Sequence, residues 1–147
     1  MSGDPADKLA VTELLYRYAE LVDAGDFDGV GELLGRGSFM GVSGAHRIAK
    51  LFATTTRRFP EHGNTTRTRH LVLNPIVEVT GDTATARSTF CVVQHTEAIS
   101  LQPIVVGRYQ DSFIRDDHGW YFTERRVDIE MLGDVSDHLV IDPSQIS

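Results

Sequence analysis

The sequence predicts an α+β fold: a cone-shaped, strongly curved antiparallel sheet wrapped around three N-terminal helices, an α+β barrel. Three observations predict it. Apolar residues recur at helical spacing in short runs before residue 60. From residue 67 the pattern changes to long strand-like runs, the first rich in Val, Leu and Thr, separated by tight turns. The helices all precede the long strands, which is the order of an α+β domain rather than of alternating βα units. With 147 residues, 41% apolar and 24% charged, the chain forms one domain with a core and a polar surface. Residues 1–147 read as a single domain whose last stretch, about 132–147, is a covering or mobile tail.

The elements follow in order. Asp4 caps the first helix, Pro5 suits its first turn, and Asp7 favours its positive end. Leu9, Leu14, Leu15, Tyr18, Leu21 and Val22 mark its apolar side, and Gly25 ends the run. A second helix covers 26–34, with Val30, Leu33 and Leu34 on one side. Gly35, Gly37 and Gly41 bracket a short strand over 38–42. Ser43 caps a third helix that buries Ile48, Leu51 and Phe52 and runs to about Phe59, where Pro60 stops it. Four long strands are expected over 67–80, 83–98, 104–115 and 119–131. Gly81-Asp82 and Asp116-Asp117-His118-Gly119 are turns. Pro75 marks a bulge or an edge position in the first long strand. A curved sheet packed on helices leaves a pocket in the mouth of its cone.

The formal net charge of −7 argues against nucleic acid and against anionic membrane surfaces as partners. No run approaches the roughly 20 apolar residues of a membrane span, and the first residues lack the pattern of a signal peptide. Cys91 is the single cysteine and reads as a small packed residue, so a cytoplasmic protein is expected. No His, Cys or acidic pair has metal-ligand spacing. Neither a glycine-rich phosphate loop nor a Gly-x-Ser-x-Gly elbow occurs. No cofactor and no metal are expected.

The segment Tyr18-x-x-x-x-Asp23-Ala-Gly-Asp-Phe-Asp resembles the opening of the SnoaL-like group in the nuclear transport factor two superfamily. The hairpin Asp117-His118-Gly119-Trp120-Tyr121-Phe122 is similar to the closing strand of that superfamily, and Gly133-Asp134-x-Ser136-x-His138-Leu139 is similar to the tails of many of its members. The resemblance covers roughly residues 5–140 and implies the α+β cone, while the fold itself hosts many functions. By motif the sequence is similar to scytalone dehydratase, bile-acid 7α-dehydratase and hexachlorocyclohexane dehydrochlorinase, cofactor-free lyases that use an Asp–His pair. The resemblance places that pair at Asp23 and His70, implies a tyrosine donor at Tyr18, and matches His95 to a second catalytic histidine. The sequence departs from scytalone dehydratase at Val22, at Phe39 and Met40, and at Tyr109, where that enzyme carries two tyrosines and an asparagine. A different substrate is implied, lined by Tyr109, Phe39, Met40 and Val22.

The chemistry follows from the residue types. A carboxylate fixes the tautomer of an imidazole and stabilises the imidazolium that forms on proton abstraction. Such a base removes a carbon-bound proton beside a carbonyl and returns it to a leaving hydroxyl or to another carbon. Tyr18 or Tyr109 can donate to the developing enolate oxygen. Plainer readings stand beside these. Asp23, next to Gly25, can simply start a turn, and His70 can be a satisfied interior histidine. Tyr16 and Tyr18 lie on an apolar helix face, and Trp120 and Phe122 read as core. His46, His62, His118 and His138 read as surface or turn residues. Arg57-Arg58 and Arg67-x-Arg69 form a solvated rim, or greet an anionic group.

The leading expectation is a cofactor-free dehydratase or isomerase acting on an apolar cyclic, aromatic, polyketide-like or steroid-like small molecule. The alternative is a non-catalytic ligand-binding protein or one like the β-subunit of ring-hydroxylating dioxygenases. An epoxide hydrolase or cyclase would need a water-holding polar set that the sequence does not reveal. Asp23 and His70 should meet at hydrogen-bond distance, about 2.6–3.2 Å, and open into the largest apolar cavity. Apolar residues on both strand faces, such as Phe90, Val92 and Val93, imply a sheet covered on each side, hence a homodimer or higher symmetric oligomer. For His95 two registers are open. One places Cys91, Val93 and His95 inward, as the resemblance favours; the other places Phe90, Val92 and Gln94 inward.

Overall fold

The structure, a computed structural model, describes residues 3–140. Helix α1 spans Pro5–Asp23 and is capped by Asp4, whose carboxylate accepts from the Ala6 N–H at 2.7 Å. Its buried face is Val11, Leu15, Tyr18, Ala19 and Val22, one stripe at helical spacing. Leu9 and Tyr16 are exposed, because they fall on the other side of that stripe. Helix α2 (Phe27–Leu34) is capped by Asp26. Two-residue strands β1 (Ser38–Phe39) and β2 (Val42–Ser43) follow, where the sequence predicts one strand; Met40 and Gly41, both at positive φ, turn the chain between them. Helix α3 spans Ala45–Thr55 and ends four residues before the expected stop, because Thr56 turns extended and pairs with Leu139.

Four long strands complete the fold: β3 (Thr68–Thr80), β4 (Thr83–Gln94), β5 (Gln102–Asp116) and β6 (Gly119–Leu132). The sheet order is β2-β1-β6-β5-β4-β3. Among the described residues it is an open cone and not a closed barrel, with β2 and β3 as its edges. It is mixed rather than wholly antiparallel, since β1 runs parallel to β6. Pro75 satisfies both of its expected roles: β3 is an edge, and its pairing with β4 shifts between Leu73 and Ile76, beside Asn74 at φ 53°. The inner sheet face and the helices enclose one core, from Val11 and Leu15 to Phe90, Tyr109, Phe113 and Phe122. The N-terminal end of α1 is tied to the β5–β6 hairpin, where Asp7 accepts from Arg115 at 2.7 Å and from the Trp120 indole at 3.2 Å. No helix among the described residues is long and apolar enough to cross a membrane.

Gly25 has φ +74°, and a side chain there would strike the carbonyl of Asn64. That close approach brings the start of β3 against the C-terminal end of α1, where Asp23 sits.

Candidate active site

Asp23 and His70 meet as expected. The His70 Nδ1 lies 2.7 Å from Asp23 Oδ1, the His70 backbone N–H donates to Asp23 Oδ2 at 2.9 Å, and the Thr68 hydroxyl donates to Oδ1 at 2.8 Å. The Thr68 proton is committed to the carboxylate, so the Thr66 hydroxyl 2.6 Å away donates to Thr68. The carboxylate therefore accepts three hydrogen bonds from one strand end, which holds it at the helix C-terminus against the unfavourable dipole there. The Nδ1–H bonded to a carboxylate leaves His70 Nε2 with a free lone pair, on a side chain that lines the interior cavity.

The cavity has a volume of about 290 Å3. That is at the low end of the roughly 300–1,000 Å3 of small-molecule sites. Tyr18, Val22, Phe39, Met40 and Tyr109, all expected at the substrate, line it together with His70. Its remaining walls are Val, Leu, Ile and Phe side chains with Thr55, Thr56 and His138, and no Asp, Glu, Lys or Arg is among the lining residues. A larger depression of about 500 Å3 lies elsewhere, among exposed residues such as Arg87, Arg108 and Arg126. It is polar, and the dyad does not open into it. Burial pushes the Tyr18 hydroxyl up to about 12, against the pull of the Arg125 guanidinium. Tyr109 is raised well above the ordinary tyrosine value, again chiefly by burial. Both hydroxyls stay protonated at neutral pH and are available as donors.

His95 is a correction. Strand β4 buries Ala84, Ala86, Ser88, Phe90, Val92 and Gln94, so the even positions face inward down its whole length and the strand ends at Gln94. His95 is exposed just beyond it, outside the lining of the cavity. Arg87 on the same parity was the available signal, since an arginine there points a face to solvent. His95→Ala is accordingly expected to leave any turnover in the cavity within about twofold of wild type, as is usual for a surface change away from special features; initial rates on the two proteins check this.

His138 is the second correction. It was expected at the surface, yet it is 6% exposed and lines the cavity, its ring centroid 5.9 Å from that of His70. The described part of the tail that carries it, through residue 140, adds Val135 and Leu139 to the cavity lining; residues 141–147 of the expected covering tail lie outside the described residues. Nothing periodic in the tail announces this. The Arg57 N–H donates to the His138 carbonyl at 2.7 Å, Gln94 donates to the Asp137 carbonyl at 3.0 Å, and the Val140 N–H donates to Thr55 at 3.0 Å. Burial, with His70 next to it, pushes His138 down to about 3 from an ordinary 6.5. Between those two values the unfolded chain binds the proton that the folded one refuses. The neutral ring's contribution to stability is thus complete above about 6.5 and is lost as pH falls toward 3. The expected loss is on the order of a few kcal/mol, and His138→Phe should flatten it; urea unfolding between pH 7 and pH 4 reads both.

The arginines near the rim are otherwise engaged. Arg57 pairs with Asp137 at 3.1 Å, Arg58 donates to Gly25 and stacks on Phe27, and Arg67 pairs with Glu97 at 3.4 Å. Beneath Tyr18 and Tyr109 lies a pair that sequence reading missed. Arg125 and Asp111 are both buried, joined at 2.8 and 3.0 Å, with the guanidinium 4.3 Å from the Tyr18 ring centre and 3.7 Å from that of Tyr109. Burial pulls the Arg125 guanidinium down, but the Asp111 carboxylate more than offsets this. Burial raises Asp111 against the opposite pull of Arg125.

The SnoaL-like domain model matches residues 5–126. No curated protein matches the chain significantly. Among solved structures, it is similar to Rv3472 (D26N) of Mycobacterium tuberculosis, of unknown function, at 26% identity and TM-score 0.69, over 84% of this chain and 76% of that one. It is similar to a proposed aromatic ring hydroxylase from Novosphingobium aromaticivorans at 23% identity and TM-score 0.69, over 92% of this chain and 98% of that one. It is also similar to a proposed scytalone dehydratase from Novosphingobium aromaticivorans at 18% identity and TM-score 0.68, over 88% and 87% of the two chains.

Proposed function

The chain belongs to the SnoaL-like domain family, and from that premise we propose that it is a cofactor-free lyase or isomerase acting on a neutral, cyclic carbonyl compound. The observation that carries this reading is His70, held from behind by Asp23 at 2.7 Å, in the wall of an apolar cavity that no Asp, Glu, Lys or Arg lines. His70 Nε2 takes a carbon-bound proton next to the substrate carbonyl, and the C–H electron pair moves onto the carbonyl oxygen as an enolate. Asp23 stabilises the imidazolium so formed and keeps its ring oriented. Tyr18 or Tyr109 donates to the enolate oxygen. The imidazolium then returns the proton, either to a leaving hydroxyl at the β-carbon, which departs as water, or to another carbon of the conjugated system. Both outcomes are balanced without an external reagent. Neutral substrates are favoured because an anion would enter an apolar chamber with no cation to meet it.

The test is proton exchange, which needs no knowledge of the natural substrate. A panel of small cyclic ketones and β-hydroxyketones is incubated in D2O, and deuterium entry next to the carbonyl is followed by NMR. Catalysed exchange supports the base; a panel that binds without exchange supports the ligand-binding alternative.

We also propose that two copies pair through the outer sheet face. Leu71, Cys91, Val106 and Met131 stand opposite one another across β3, β4, β5 and β6, an apolar row with Leu71 41% and Met131 65% exposed. A symmetric partner would cover it. Sedimentation at micromolar concentration is expected to give twice the monomer mass, and Met131→Asp to shift it toward the monomer.

A further inference from the structure

Among the described residues, four buried polar side-chain atoms lack a hydrogen-bond partner, on Ser88, Gln94, Arg125 and His138. Of these four residues only His138 also lines the cavity. Its ring is placed by the backbone of the tail rather than by its own nitrogens, through the bonds of residues 137, 138 and 140 to Gln94, Arg57 and Thr55. The side chain is thus held without any side-chain contact that needs its protons.

The tautomer follows from burial. Nδ1 is sealed from solvent with no partner. A buried N–H left unmatched is rarer in proteins than an under-used acceptor, so the proton sits on Nε2 and Nδ1 carries the lone pair. Nε2 is then the nitrogen left to meet a ligand, as a donor. The ring remains neutral at working pH because it resists protonation down to about 3. A neutral imidazole donor does not compete with His70 for the abstracted proton, and it stabilises negative charge without carrying charge into an apolar chamber.

We infer that His138 is a substrate-contacting residue: its Nε2–H donates a hydrogen bond to the oxygen of a neutral cyclic ketone or enol held in the cavity, beside the carbon whose proton His70 takes. The inference rests on the acid–base reading for its catalytic part and stands apart from it for binding. The two imidazoles divide the work. His70, backed by Asp23, moves the proton; His138, backed by no carboxylate, receives the electron pair's destination. The substrate class narrows to compounds with one oxygen at the end of an apolar ring system, since the tail closes over that oxygen with Val135 and Leu139 on either side of His138 in sequence.

The test uses two ligands of one shape, 2-naphthol and naphthalene, on the full chain. The wild type is expected to bind 2-naphthol about tenfold more tightly, a margin of roughly 1.4 kcal/mol. His138→Phe should remove that preference while keeping naphthalene affinity, and His138→Gln, which retains a donor, should restore part of it. In the exchange assay, His138→Phe should lower kcat by about 10²–10³-fold, the usual effect of losing one oxyanion donor. In wild-type protein the ¹⁵N resonances of His138 should move on adding 2-naphthol and not on adding naphthalene, which keeps the question answerable if a variant fails to fold. Equal binding of the two ligands by His138→Phe and wild type, or a His138 resonance indifferent to the hydroxyl, overturns the inference. Absent exchange with an intact hydroxyl preference overturns only the base reading.

Discussion

His70→Ala is expected to lower kcat/KM for the proposed exchange by about 10²–10⁴-fold, the range of a lost general base. The reasoning is geometric. Of the groups that line the cavity, His70 alone has its Nδ1 held by a carboxylate, at 2.7 Å, which leaves the opposite nitrogen free to accept. The fold should survive the change. Asp23 keeps two of its three hydrogen bonds, from the Thr68 hydroxyl and from the backbone N–H of residue 70, so no bare carboxylate is left at the end of α1. Asp23→Asn retains an acceptor for Thr68 but no longer stabilises an imidazolium, so it should lower kcat with little change in KM. Steady-state exchange rates with melting curves on both variants separate the chemical loss from a folding loss. An alanine variant with wild-type exchange would remove His70 from the reaction.

Asp111→Ala is expected to be the most destabilising of the single changes considered. It leaves the Arg125 guanidinium fully buried with its charge uncompensated, and breaking such a pair costs about 3–5 kcal/mol. For a domain of this size the corresponding fall in Tm is on the order of 10 °C. Apolar residues at both positions, Asp111→Leu with Arg125→Met, should recover most of that loss, because the desolvation of two charges disappears together with their attraction. Thermal unfolding of the single and double variants checks this. If the single change is harmless, the pair is not closed to water as it stands here. The double variant also reads the site: Tyr18 and Tyr109 rest on the guanidinium face, so losing it should loosen both rings and raise KM even where Tm recovers.

The order of helices and long strands, the cap at Asp4 and the irregularity at Pro75 were legible along the chain, because each depends on neighbours a few residues away; the Asp26 cap was not, and the third helix starts from Gly44 rather than from a capping Ser43. The Asp23–His70 pair was legible only through the resemblance of the motifs around it; no local pattern joins residues 47 positions apart. Three features rest on contacts between segments far apart in the chain. His95 turned outward because parity along β4 is set by which face meets the helices, and Phe90 and Val93 alone did not distinguish the two. Arg125 turned inward although Phe122 also does. Their parities differ, and a shift in the β5–β6 pairing between Ser112 and Phe113 inserts the extra residue that reconciles them. His138 lies in the cavity wall rather than on the surface because the carbonyls of residues 138 and 137 accept from Arg57 and Gln94, which holds that segment beside the cavity. An aperiodic segment carries no pattern from which such long-range bonds can be read.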